Sequence, residues 1–160
     1  MVVYDSKSLT GSVISVNDTK FLYGFTPLDG DYSVGLEGRL GAGDATIGQT
    51  GLIPSDSFSV VFLFRDEYVS RLDVSFKGNI LPYSVIWSEP GFDICSADIA
   101  RFAGQTGELR FTENSACNVL DDIYFSADAV PEPGTVGLFA MGALAMAGRF
   151  WCRTTRSVMN

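Results

Sequence analysis

The chain has 160 residues, 46% of them hydrophobic, with 19 acids against 11 bases and no histidine. That size allows one core and one domain ahead of any tail. A net charge of −8 argues against nucleic acid, whose binding needs a basic face, and the missing histidine removes Ser-His-Asp and Cys-His catalysis together with histidine-based metal sites.

Twelve Phe, six Tyr and seventeen Gly point to many short strands joined by turns, an all-β chain. Met1-Val2-Val3-Tyr4-Asp5 has neither a basic n-region nor an apolar h-region, so a misplaced start or a fragment is expected. Strands are expected at 11–16, at 19–25 around an Asn17-Asp18 turn, and at 32–40. Gly41-Ala42-Gly43-Asp44 lacks the Lys-Ser/Thr ending of a phosphate-cradling loop and reads as a turn. Residues 58–64 are nearly all apolar and belong in mid-sheet. Residues 71–77 alternate polar and apolar, so Leu72, Val74 and Phe76 share one face of a half-buried strand. Gly78-Asn79 then reads as a two-residue turn and 80–87 as the returning partner, with Pro82 marking an edge or bulge. Alternation along that partner places Trp87 with Tyr83 and Val85, on a face expected to be buried. With 108–112 and 119–126 the total is about nine strands at short intervals, which predicts a two-sheet antiparallel sandwich.

The order of phrases is more particular. Gln49-Thr50-Gly51-Leu52-Ile53-Pro54, Val74-Ser75-Phe76-Lys77-Gly78-Asn79, Asp98-Ile99-Ala100-Arg101-Phe102-Ala103-Gly104-Gln105-Thr106, Glu108-Leu109-Arg110-Phe111 and Leu120-Asp121-Asp122-Ile123-Tyr124-Phe125 together resemble the jelly-roll domains related to carbohydrate-binding modules and galactose-binding-like domains. The resemblance spans 49–126 and implies that fold, with glycan binding by association. Tyr83, Trp87, Tyr32 and Tyr68 are the rings that would serve as a sugar-stacking platform.

Asp121 would lie, on a regular strand, beside Val119, Ile123 and Phe125 on the core face. A buried carboxylate must be paired or hydrogen-bonded. Two readings stay open: a structural Asp accepting bonds from backbone amides or from Arg101 or Arg110, and a ligand of a structural calcium ion, since calcium takes oxygen donors. No other cofactor is expected. Asp66-Glu67, Glu89 and Glu108 leave two-carboxylate glycoside hydrolysis chemically open, but no spacing singles out a pair and an enzyme is not expected.

Pro131 and Pro133 lack backbone donors and fix φ near −65°, so a new element starts near Thr135. From Val136 to Gly148 there is no charge, and the run is rich in Gly and Ala. Thirteen helical residues span about 20 Å, short of a hydrocarbon core of roughly 30 Å. The span lengthens to about 135–152 if Arg149 snorkels and Phe150 and Trp151 sit in the interface. Arg149, Arg153 and Arg156 then mark the cytoplasmic side. These three against Glu132 leave +2 on the tail, so the preceding residues carry −10.

The order Pro-Glu-Pro, apolar span, basic end resembles the PEP-CTERM sorting tail of bacterial exported proteins. The resemblance implies a substrate of an exosortase-type transpeptidase, recognised at Pro131, Glu132 and Pro133, in bacteria that make extracellular polysaccharide. The expected division is 1–129, an exported sandwich, and 130–156, a sorting tail with a single C-terminal transmembrane helix. The protein would cross the inner membrane and reach the cell surface or matrix, with a structural or glycan-associating role. In that oxidising setting Cys95 and Cys117 are expected to pair, closing a loop of about 22 residues worth roughly 3 kcal/mol; the alternative is two buried thiols.

Overall fold

The computed structural model describes residues 2–4, 13–17, 26–38, 43–66 and 72–130. The chain divides between Val130 and Pro131 into two units, and the first is a pair of antiparallel sheets around one core. Strand β5 (Ser59–Asp66) explains the arrangement best. Its run Val60-Val61-Phe62-Leu63-Phe64 is buried on both faces, which only an interior strand allows. It lies between β11 (Cys117–Ser126) and β9 (Phe92–Asp98), so the mid-sheet expectation for 58–64 holds. The six-stranded sheet is completed by β2 (Val13–Asn17) and β3 (Ser33–Glu37) on one side and β8 (Tyr83–Glu89) on the other, in the order β2-β3-β11-β5-β9-β8.

The second sheet runs β1-β4-β10-β6-β7. It comprises β1 (Val2–Tyr4), β4 (Ala45–Leu52), β10 (Thr106–Glu113), β6 (Asp73–Phe76) and β7 (Asn79–Ile80). Val74 and Phe76 from β6 and Phe111 from β10 point inward to meet Val60, Phe62 and Phe64. Leu72, Val74 and Phe76 are all buried, as their alternation requires. The core therefore lies between the sheets.

Two features differ from expectation. The hairpin turn after β6 is Lys77-Gly78, with φ of 51° and 76°, one residue earlier than Gly78-Asn79. Positive φ at both central residues is the primed turn that matches strand twist, and the Asn79 amide secures it by donating to the Phe76 and Lys77 carbonyls at 3.2 Å each. The returning strand also stops at Ile80. Pro82 has no donor for the ladder, and after Leu81 donates to the Val74 carbonyl at 2.8 Å the chain crosses to the other sheet. Residues 83–89 thus pair with β9, not with β6.

The expected strand at 19–25 lies outside the described residues. Ala100–Phe102 forms a single 3-10 turn. Among the described residues no helix is long and apolar enough to cross a membrane, and the expected span at 135–152 falls outside them.

Candidate functional site

Two β-bulges decide which side chains reach the outer face of the six-stranded sheet. In β8 the register with β9 slips between Val85 and Trp87, leaving Ile86 as the extra residue. Tyr83 and Val85, opposite Ala97 and Cys95, lie on the core-side face of the strand; Tyr83 packs edge-on against Phe62 at 5.5 Å, while Val85 at the sheet edge stays exposed. A one-residue slip sends every later side chain to the opposite face. Trp87 is therefore 62% exposed, and the expectation that it lies buried beside Tyr83 and Val85 is corrected. Its indole N–H donates to Glu89 Oε1 at 2.8 Å, which fixes the ring and holds a carboxylate at its edge. Ser88 and Asp93, joined at 2.6 Å, face the other way.

The four rings considered as a platform do not converge. Tyr83 is half-buried and packs against the core cluster, Tyr32 precedes β3, and three strands separate β3 from β8. Tyr68 lies outside the described residues. Trp87 stands apart as the exposed ring of its edge.

The second bulge lies in β11 between Asp121 and Tyr124, where Asp122 takes a φ of 43°. Before it, Leu120 faces the core opposite Phe64 and Val34; after it, Phe125 returns to the core side opposite Val60. Asp121 thus points to the outer face, not the core face expected of a regular strand. Its Oδ2 accepts the Ser33 hydroxyl at 2.6 Å and the Asp29 amide at 3.2 Å, and its Oδ1 accepts the Asp122 amide at 2.9 Å. The amide-accepting structural reading fits this geometry. The arginines are engaged elsewhere: Arg101 stacks 4.6 Å over the Phe102 ring and Arg110 pairs with Glu108 at 2.8 Å.

The Asp121 oxygens thus face donors, two of them backbone N–H groups, and among the described residues no group of three or more His, Cys, Asp or Glu side chains is placed to hold an ion. Asp122 is raised above the usual carboxylate range by desolvation, then by the negative charges of Asp121 and Asp29.

Cys95 and Cys117 are both buried and not joined. Cys95 faces Phe62 on β5, while Asn118, the residue after Cys117, faces Asp66 on the other side of that strand. Two inter-strand steps of about 4.8 Å and more than four residues of about 3.3 Å separate them, well beyond the roughly 7 Å between Cα atoms that a disulfide can bridge. The expected pairing is thereby corrected. Burial, and then the charge of Asp93, pushes the Cys95 thiol up to about 12. The folded-state value lies above that of an ordinary thiol, so its contribution to stability is present below the ordinary value and is lost as pH rises toward about 12. We expect peptide-resolved alkylation at pH 8 to leave Cys95 unlabelled in the folded protein and to label it in urea; rapid native labelling would contradict its burial.

Sequence reasoning missed Glu113. This carboxylate is fully buried at the end of β10, and Oε1 accepts the Ser115 and Ala116 amides at 2.8 and 2.9 Å while Oε2 accepts the Asn118 side-chain amide. The signal was present, since alternation places Glu113 on the face of Leu109 and Phe111. Between the sheets, two adjoining hollows of about 160 and about 260 Å³ share Gln49, Leu109 and Ile123. Their lining is mainly apolar, with Gln49 and Tyr124 as the side chains that carry polar atoms.

The tail is decided by comparison. Residues 129–153 match the PEP-CTERM protein-sorting motif. The match contains Pro131, Glu132, Pro133, Arg149 and Arg153, and stops short of Arg156; all of these lie outside the described residues. A PEP-CTERM motif indicates sorting by an exosortase-type partner, export, and association with the cell envelope or surface. No curated protein and no solved structure matches the chain.

Proposed function

We propose that the protein is an exported jelly-roll sandwich that an exosortase-type transpeptidase recognises at Pro131-Glu132-Pro133 and delivers to the cell surface or extracellular matrix. There it associates with glycan without acting on it chemically. The PEP-CTERM match at 129–153 carries the sorting part of this reading. During transit, residues 135–152 lie in the membrane with Arg149, Arg153 and Arg156 toward the cytoplasm.

The strand order supports the jelly roll. Setting β1, β2 and β8 aside, the eight strands β3, β4, β5, β6, β7, β9, β10 and β11 fall into sheets ordered first-eighth-third-sixth and second-seventh-fourth-fifth, the double Greek key of that fold. The exposed Trp87 supports glycan association, because a pyranose packs its C–H face on an open aromatic ring. The carboxylates support a non-catalytic role. Glu89 and Glu108 stand on different sheets, tied to Trp87 and Arg110, and Glu113 is buried among amides.

The test is the intact mass of the mature protein recovered from an exosortase-containing Gram-negative host. Loss of everything after the Pro-Glu-Pro segment is expected. Retention of Trp151 would make the tail a permanent anchor and refute processing.

A further inference from the structure

We propose that Trp87 and Glu89, on the outer face of the β8–β9 hairpin, form a binding site for amine-bearing glycans, chains of glucosamine type, in preference to neutral or acidic ones. The proposal rests on the glycan-associating reading above and names its chemistry.

The indole is 62% exposed, and its N–H is already committed to Glu89 Oε1 at 2.8 Å. That bond keeps the ring in one orientation and leaves its face for a ligand. It also holds a negative charge at the ring edge, and among the described residues no donor reaches Oε2. A protonated amino sugar fits both parts. Its C–H face covers the indole, and its ammonium group is attracted by the ring quadrupole and by the carboxylate together.

A neutral sugar would use the ring and gain nothing from the charge. An acidic one would be repelled by Glu89 and by the −10 carried ahead of the tail. On the same outer face the nearest described cation is Arg65, on β5 beyond β9, and its guanidinium donates to the Thr26 carbonyl at 3.3 Å. The hairpin itself holds the site rigid through the Ser88–Asp93 bond on its opposite face and the Pro90-Gly91 turn, where Gly91 takes a φ of 105°.

The experiment is calorimetric titration of the full-length chain, held in a polyoxyethylene detergent, with three defined probes: a glucosamine hexamer, the N-acetylated hexamer and an oligouronate. The glucosamine hexamer is expected to bind most tightly, with an affinity that falls in 0.5 M salt, a concentration at which the Debye length is only about 4 Å. Trp87→Ala should weaken that binding about tenfold. Glu89→Gln, which keeps an acceptor for the indole, should weaken it about two- to fivefold and leave the acetylated hexamer unchanged. Both side chains are exposed, and an unchanged urea midpoint shows that each variant is folded. Equal binding of the amine and acetylated probes, or tighter binding of the uronate, overturns the amine preference while the glycan reading stands. Amine binding indifferent to Trp87→Ala overturns the site. No binding of any probe overturns both readings.

Discussion

Glu113→Ala is expected to cost about 3 kcal/mol of folding stability, a large effect for a residue near the end of a strand. The carboxylate is fully buried and collects the Ser115 and Ala116 amides and the Asn118 side chain. Removing it leaves the buried Asn118 amide and the part-buried Ser115 and Ala116 amides without their acceptor, so the loss includes a desolvation penalty and not only the worth of one bond. The same turn carries a second constraint. Gly38 at the end of β3 donates to the Ala116 carbonyl at 2.8 Å, and a Cβ there would overlap the Glu113 carbonyl. The β10–β11 connection and the end of β3 are therefore held as one unit. Glu113→Gln keeps one acceptor but turns a donor toward Asn118, and about 1 to 2 kcal/mol is expected. Urea unfolding would read both as midpoint shifts at constant slope. An alanine variant within about 0.5 kcal/mol of the parent, the range of ordinary surface changes, would mean the turn is held by other means.

Much of the sandwich was legible because its central strands obey simple periods. β5 carries an unbroken apolar run from Val60 to Phe64, β6 alternates, and β10 sets Leu109 and Phe111 two apart between polar residues. β4 was illegible for the converse reason. Ala45-Thr46-Ile47-Gly48-Gln49-Thr50-Gly51-Leu52 has two glycines and little apolar content, and it is a strand because β1 and β10 supply ladders on both sides. Asp121 and Trp87, the two residues with the sharpest functional readings, were both assigned to the wrong face. Each follows a period of two that is broken by one inserted residue, and nothing in Leu120-Asp121-Asp122-Ile123 or Val85-Ile86-Trp87 marks the insertion. Alternation is a statement about neighbours, and a bulge resets it without changing composition. The sorting tail is legible for a different reason. Another protein reads it as a linear string, so its information lies in the order of residues and survives without any folded context.

Phe62→Ala should have the largest effect of any single truncation, about 4 kcal/mol. Phe62 is fully buried and its ring meets three others edge-on: Phe111 at 5.3 Å, Tyr83 at 5.5 Å and Phe64 at 6.5 Å. Phe111 belongs to the opposite sheet, so the truncation removes a contact that joins the two layers as well as the transfer energy of the ring. Single domains have only about 5–15 kcal/mol in total, and the variant should remain folded with a much lower thermal midpoint. The vacated space would border the about 260 Å³ hollow, which Phe111 also lines. The apolar space left by the ring can take up small apolar molecules, so toluene should raise the midpoint of Phe62→Ala and leave the parent nearly unchanged. Phe62→Leu keeps most of the volume and should lose only about 1 kcal/mol. If alanine and leucine at position 62 cost the same, the layers would be held by the periphery and not by this aromatic cluster, and the exposed Trp87 hairpin one strand beyond would rest on a looser foundation than the core geometry implies.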